Sequence, residues 1–166
     1  MAHIQQDCNM ANTVQKLIDT ERRVVYKFTG NTAESSALKI DAGSLNFSLN
    51  ANNQLLGTGT DRKSIYRLAL KKVIYDVAPG QAAGNGYVEL YWTGTPNATM
   101  VTLSGVGKMD FSEGGDGIVI LNNATGAGAN GNVGLQTVNF TGTSCSYTII
   151  ADFRKFLDDY NTQPTE

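Results

Sequence analysis

The sequence predicts an all-β protein: a single-domain β-sandwich or jelly roll with a short N-terminal arm or helix. Charge distribution supports this first, because 17 of the 28 charged residues lie in residues 1–76 and only five lie in residues 77–151. Glycine supports it second, because residues 80–142 hold 14 of the 18 glycines. Amphipathic helices need a charged outer face that such a segment lacks. Short strands separated by tight turns at regular intervals are typical of sandwiches and jelly rolls.

Eight runs along the chain have the β-branched and aromatic composition of strands. In order they are RRVVYKFTG, SIYRLALKKVIYDVAPG, GYVELYWTG, TMVTLSG, KMDFSE, GIVIL, LQTVNFTG and SYTIIADF. The second run is long enough for one bent strand or two, and its Leu and Lys content leaves a short helix open. In the third run, alternation puts Val88, Leu90 and Trp92 on one face. We expect helix only near the ends, at NTVQKLIDTE and at DFRKFLDDY.

A chain of 166 residues is long enough to bury one core without covalent staples. We therefore expect an N-terminal arm or short helix over residues 1–20, a β-sandwich domain over residues 21–157 and a C-terminal tail over residues 158–166. The arm is a segment that can become ordered on a neighbouring molecule or remain a frayed tail, and both alternatives stay open.

Composition argues against several classes of function. The net charge of −2 gives no electrostatic basis for binding nucleic acid, and no apolar run approaches the length of a membrane span. His3 is the single histidine and lies in a terminal segment, so a histidine-based catalytic or metal site is not expected. We predict no enzyme activity, no catalytic residues, no cofactor and no metal.

The cysteines and the N-terminus indicate where the protein is made. Cys8 and Cys145 match no paired-cysteine motif, and we expect free thiols, although a disulfide between them remains open. No basic-plus-apolar secretion signal begins the sequence, which predicts synthesis in a cytoplasm.

The stretch IVILNNATGAGANGNVGLQT contains the spacing G-x-G-x-x-G, which also occurs in dinucleotide-binding loops. Asp152 follows Gly131 by 21 residues, as a ribose-binding acid would. Such a loop must open a helix whose N-terminus holds the pyrophosphate. The residues that follow, NVGLQTVNFTGTSCS, predict a strand and a turn instead. Dinucleotide binding is therefore not expected, and the glycines serve conformation and close approach.

The same loop, residues 122–134, is long for a compact domain, and long loops there are usually functional or disordered. It consists of small residues with almost no charge, which suits flat packing against another protein. The interface candidates are Asn122, Asn123, Gly126, Gly128, Gly131 and Gly134.

One aromatic group provides an alternative function. Trp92 with Tyr87 and Tyr91 would form a stacking platform for sugar rings if all three lay at the surface. This makes a carbohydrate-binding β-sandwich module a second candidate. A tryptophan buried in the core is the expectation that we favour.

Five blocks in order, TVQKLIDTERRVVYKFTG, VELYWTG, TLSGVGKMDF, NNATGAGANGNVG and SYTIIADFRK, resemble small virion structural proteins of tailed bacteriophages, particularly those of cyanobacterial and other aquatic phages. The resemblance covers residues 12–155, and residues 1–9 depart from it. It implies a β-rich, non-enzymatic protein of the virion that is made in the host cytoplasm. The family has no catalytic or ligand-binding residues to transfer to this chain.

The resemblance implies partners as well. We expect contacts with phage capsid or other virion proteins and self-association, with a homotrimer favoured. The first expectation is a capsid decoration (cement) protein that stabilises the head lattice. A neck or tail component of the virion is the alternative within the same class.

Overall fold

The computed structural model describes residues 12–20, 23–45, 67–80, 85–111, 120–121, 131–140 and 144–156, which form two antiparallel β-sheets packed face to face. This part of the chain contains ten strands and one 3-10 turn at Ala42–Ser44. The strands are β1 (Thr13–Asp19), β2 (Arg23–Gly30), β3 (Ala37–Ile40), β4 (Arg67–Ala78), β5 (Tyr87–Trp92), β6 (Ala98–Leu103), β7 (Gly105–Asp110), β8 (Ile120–Leu121), β9 (Val133–Val138) and β10 (Ser146–Phe156).

The order of the strands identifies the fold. Sheet A has the order β1-β2-β10-β4-β7, with β8 pairing with the N-terminal part of β4, and sheet B has the order β3-β9-β5-β6. Apart from the neighbouring pairs β1–β2, β5–β6 and β7–β8, each connection crosses from one sheet to the other. Facing sheets with the orders 2-10-4-7 and 3-9-5-6 form a jelly roll, to which β1 adds one further strand. The predicted all-β sandwich is confirmed.

Side chains that alternate along the strands fill the space between the sheets. In β10 the almost fully buried positions are Tyr147, Ile149, Ala151 and Phe153. Trp92 of β5 packs edge to face against Phe153, with ring centroids 6.2 Å apart, and so links the two sheets. Burying an aromatic or large aliphatic side chain stabilises the fold by about 1.5–3 kcal/mol. The expected core position of Trp92 is confirmed, since its exposed fraction is 2%.

The segment NTVQKLIDTE, which was expected to form a helix, contains β1 instead. β1 pairs antiparallel with β2, from Thr13 opposite Thr29 to Asp19 opposite Val24. Without β1, the outer edge of β2 would present a row of unpaired main-chain groups, and strand pairing satisfies them. The helix propensity of seven residues is too weak to compete with this tertiary contact. Part of the predicted arm is therefore an edge strand of sheet A, while residues 1–11 lie outside the described residues.

Two other segments differ from expectation. DFRKFLDDY was expected to be helical, but β10 continues through its first five residues to Phe156, opposite Arg67 of β4. Residues 157–166, which include the predicted tail, lie outside the described residues. β3 was not predicted, because four residues are too few to give an alternating pattern, and its pairing with β9 holds it in place.

Two glycines of the predicted loop have intramolecular roles. Gly131 has a φ angle of 82°, in the left-handed region that glycine adopts without a steric penalty. Gly134 lies in β9 opposite Tyr91 of β5, and a Cβ atom at this position would overlap the Tyr91 ring. The expectation that these glycines serve conformation and close approach is confirmed at both positions, and β9 confirms the strand expected after the loop.

We predict that Gly134→Ala lowers the free energy of unfolding by about 1–3 kcal/mol, because the methyl group overpacks against the Tyr91 ring. Urea unfolding of the purified protein measures the loss. Adding Tyr91→Leu removes the ring, so the alanine should cost much less in that background. An equal loss of stability with and without the Tyr91 ring would show that Gly134 is not needed to make room for that ring.

Candidate assembly surface

The outward face of sheet A carries a row of short polar side chains that crosses the whole sheet. Thr13, Thr29 and Thr148 lie opposite one another on β1, β2 and β10, and the row continues to Asp76 and Val106 on β4 and β7. The hydroxyl groups of Thr13 and Thr29 are 2.5 Å apart and share a hydrogen bond. This Thr row is a strip of mainly β-branched side chains that carries charge only at Asp76.

Charged side chains on the same face are paired at the other end of the sheet. The Arg23 guanidinium donates to both carboxylate oxygens of Asp152, with Nε–Oδ1 at 3.0 Å and Nη2–Oδ2 at 2.9 Å. This hydrogen-bonded contact with Asp152 raises the pKa of Arg23 above its ordinary value. The pair is solvent-exposed, so it orients the two strands and adds little stability.

β7 lies at one edge of sheet A, directly after the chain leaves sheet B. Ser104 alone separates β6 from β7, and its hydroxyl donates to the Gly86 carbonyl oxygen at 3.0 Å. Gly105 has a φ angle of 73°, which turns the chain from one sheet into the other. Gly107 then lies under Tyr75 of β4, where a Cβ atom would approach the phenol oxygen to 2.5 Å. These glycines let β7 lie close against β4.

Among the described strands, β7 and the two-residue β8 form one edge of sheet A, and both pair with β4 without a register irregularity. The other three edges each have one: β1 between Lys16 and Ile18, β3 between Leu38 and Ile40, and β6 where its partner strand passes from Leu90 to Tyr91. Bulges of this kind twist an edge away from further pairing. β7 follows β4 in continuous register instead.

The backbone of β7 directs hydrogen-bonding groups away from the sheet. The Phe111 N–H donates to the Lys71 carbonyl oxygen of β4 at 2.8 Å, which fixes the direction of that residue. Because direction alternates along an antiparallel strand, the N–H and C=O groups of Val106 and Lys108 point away from β4. The Val106 side chain is 80% exposed, the largest exposure among the large apolar residues described. We call Val106 and Lys108, with these groups, the β7 edge.

The predicted interface residues lie elsewhere. Gly131 and Gly134 are buried within the chain, and their part in an interface stays a prediction. Asn122, Asn123, Gly126 and Gly128 lie outside the described residues. The β7 edge was missed because TLSGVGKMDF was divided between two predicted strands, and strand order cannot be obtained from local sequence. Nothing in the sequence of that segment distinguishes Val106 from a buried strand valine, because its exposure follows from strand order.

The proposed sugar platform does not form at these residues. Trp92 points into the core, and Tyr91 is 3% exposed although it lies on the opposite face of β5. Burial raises the pKa of Tyr91, which also hydrogen-bonds Ser36. Neither ring presents an open face on which a sugar could stack, so only Tyr87 of the three remains partly accessible.

Glu34 connects the two sheets at one end of the sandwich. Its carboxylate accepts hydrogen bonds from Lys39 of β3 at 2.6 Å and from the Tyr147 hydroxyl of β10 at 2.8 Å. Its backbone N–H donates to Thr137 Oγ1 of β9 at 2.8 Å, and its carbonyl oxygen accepts from the Thr137 N–H at 2.9 Å. Burial and the bond to Glu34 raise the pKa of Tyr147 well above its ordinary value, which keeps the hydroxyl protonated. Both carboxylate oxygens are thus committed to holding the fold together.

A second buried ionic cluster joins β1 to β10. Asp19 Oδ1 contacts Lys155 Nζ, and Asp19 Oδ2 accepts from Lys16 Nζ at 2.8 Å. Tyr26 of β2 lies nearby, and burial together with the charges of Asp19 and Asp41 raises its pKa to about 12. The Lys155 and Asp19 side chains are 0% and 4% exposed.

Among the described residues, no three histidine, cysteine, aspartate or glutamate side chains are grouped so that they could hold a metal ion. In the same ranges, no helix has the length and apolarity needed to cross a membrane. Comparison of the chain with protein-family models, with curated proteins and with solved structures gave no match.

We predict that Glu34→Gln lowers the free energy of unfolding by about 3 kcal/mol, because it leaves the Lys39 ammonium largely buried without its counter-charge. Tyr147→Phe should cost about 2 kcal/mol through loss of a hydrogen bond to a charged group. Asp76→Asn on the outward face of sheet A serves as the control and should change stability by less than about 0.5 kcal/mol. Chemical denaturation measures all three. A Glu34→Gln variant as stable as the control would show that this contact does not hold the sheets together.

Proposed function

We propose that this chain is a bacteriophage virion structural protein, most specifically a capsid decoration (cement) protein that stabilises the head lattice through protein–protein contacts. The single observation that carries the proposal is the β7 edge: an edge strand in regular register, with outward main-chain groups and an exposed Val106. The jelly roll supports it, since viral capsid domains are among the proteins built on this fold. A neck or tail position in the virion is the alternative within this class.

The β7 edge suits the addition of a strand from a partner protein. An extended segment paired there gains main-chain hydrogen bonds, and the side chains that alternate along the strand set specificity. Natural proteins usually protect such edges with bulges, proline or charge. β7 has the ion pair of Lys108 and Asp110 on the same face as Val106 and no bulge, and the missing bulge favours an edge that is covered in the assembled particle.

The Thr row extends the contact across the outward face of sheet A. Its threonines can meet a partner surface without the cost of removing charges from water. A particle protein is present in many copies, so modest contacts at each site add up through multivalency. In this proposal a homotrimer on the lattice provides the repeated contacts, and sedimentation equilibrium of the purified protein measures the number of chains.

We predict that Val106→Pro weakens binding to particles at least about tenfold, equivalent to about 1.4 kcal/mol. Proline removes an N–H that points away from β4, so β7 should keep its ladder and the protein should remain folded. Binding is measured by co-sedimentation with heads prepared without the protein.

Val106→Thr is the matched control, because it keeps both the β-branched shape and the outward N–H. It should bind nearly as well as the wild type. Wild-type binding by a folded Val106→Pro variant would exclude the β7 edge as the contact.

Position in the virion is tested separately by immunogold labelling of intact particles of the phage that encodes the chain. Label over the whole head supports decoration, and removal of the protein should then make heads sensitive to heat or osmotic shock. Label at one vertex or along the tail supports the neck or tail alternative. Particles from which the protein is absent by mass spectrometry would overturn the virion proposal.

A further inference from the structure

Asp19 and Lys155 lie in contact although their strands are not neighbours. β2 separates β1 from β10 in sheet A, and the irregularity between Lys16 and Ile18 changes the facing of β1. Past this point Asp19 lies opposite Val24, which is fully buried, so the carboxylate points into the sandwich. Lys155 lies on the buried face of β10, two residues after Phe153. The irregularity in β1 therefore places the Asp19 carboxylate against Lys155, whose side chain is fully buried.

We propose that Lys155 and Asp19 form an intramolecular amide (isopeptide) bond that joins β10 covalently to β1. The Asp19 carboxyl carbon is the electrophile and Lys155 Nζ is the nucleophile. The inference concerns a modification of this chain and is independent of the proposed virion function.

The reaction is a dehydration that balances without another reactant. A proton passes from the Lys155 ammonium to the Asp19 carboxylate, which gives a neutral amine beside a neutral acid. The amine lone pair attacks the carboxyl carbon and forms the C–N bond. One carboxyl oxygen then leaves as water, taking the carboxyl proton and a second proton from Nζ. An ammonium and a carboxylate thus become one amide and one water, with no change in total charge or oxidation state.

The surroundings favour a neutral amine at Lys155 and its attack on the carboxyl carbon of Asp19. Burial lowers the pKa of Lys155, and the positive charge of Lys16 lowers it further, while the bond to Asp19 opposes the shift. Burial thus increases the share of amine that can act as a nucleophile. Lys16 Nζ donates a hydrogen bond to the second carboxylate oxygen, Oδ2, at 2.8 Å, and so stabilises the negative charge that builds on this oxygen when the amine attacks, while Oδ1 leaves as water. The pKa of Tyr26 is raised to about 12, so at neutral pH this residue is a neutral phenol and does not accept a proton from Lys155.

Removal of charge supplies a physical reason for the product. A buried ion pair bears the cost of desolvating two charges, which its mutual attraction offsets only in part. An amide carries no net charge and keeps a carbonyl acceptor for Lys16. Formation of the amide therefore removes two buried charges and keeps the link between Asp19 and Lys155.

The test is the mass of the purified, folded full-length chain, measured intact and after denaturation and trypsin digestion. The bond lowers the intact mass by one water relative to the sequence. It also makes residues 17–22 and residues 155–166 appear as one branched peptide, because a modified Lys155 resists cleavage. Lys155→Met should have the full sequence mass, whereas Lys27→Met, on the opposite face of sheet A, should keep the loss.

A full sequence mass with the two peptides recovered separately would overturn the proposal and leave a buried salt bridge. Loss of one water without the branched peptide would also overturn it, because a succinimide at Asp19 has that mass and leaves the peptides separate. Since the wild-type protein alone decides the question, the result does not depend on whether Lys155→Met folds.

Discussion

The pairing of β10 on both sides is the constraint on which the rest of the structure depends. This strand meets β2 along one side and β4 along the other over nearly its full length. Its inward side chains, from Tyr147 to Phe153, form the floor of the core against which Trp92 of sheet B packs. The jelly roll brings this last strand between the second and the fourth, so the core closes only when the two ends of the domain have met. Folding should therefore depend on contacts between residues far apart in sequence.

The two buried ionic networks, one at Glu34 and one at Asp19 and Lys155, each join parts of the structure that are not neighbouring strands. Glu34 connects the crossover after β2 to both sheets, while Asp19 and Lys155 connect the added strand β1 to the centre of sheet A. Apolar contacts are non-directional. In β1 they are also few, because Val14 and Leu17 are partly exposed. Buried charges cost desolvation but require one geometry, and we expect them to fix a strand register that hydrophobic packing alone does not determine.

The central strands could be predicted from sequence because burial on one face imposes alternation, as in GYVELYWTG. β1 could not, because what makes it a strand is the unpaired edge of β2, and a local pattern does not include that edge. The same limit applies to function. Gly134 was recognised as a glycine that a close approach requires, but Tyr91, the residue that approaches it, could not be identified from the sequence. Val106 and the contact between Asp19 and Lys155 both depend on strand order, which emerges only when distant segments pair.

The relative direction of the outer strands has a mechanical consequence. β1 and β10 are each antiparallel to β2 and so run parallel to each other, with the start of β1 and the end of β10 at opposite ends of sheet A. Tension applied between these two ends loads the backbone hydrogen bonds of both strand pairs in shear, all at the same time. A hairpin pulled at its two termini is unzipped one bond after another. Sheet A is therefore arranged to resist pulling along its strands, which is the direction in which an attached chain would strain it.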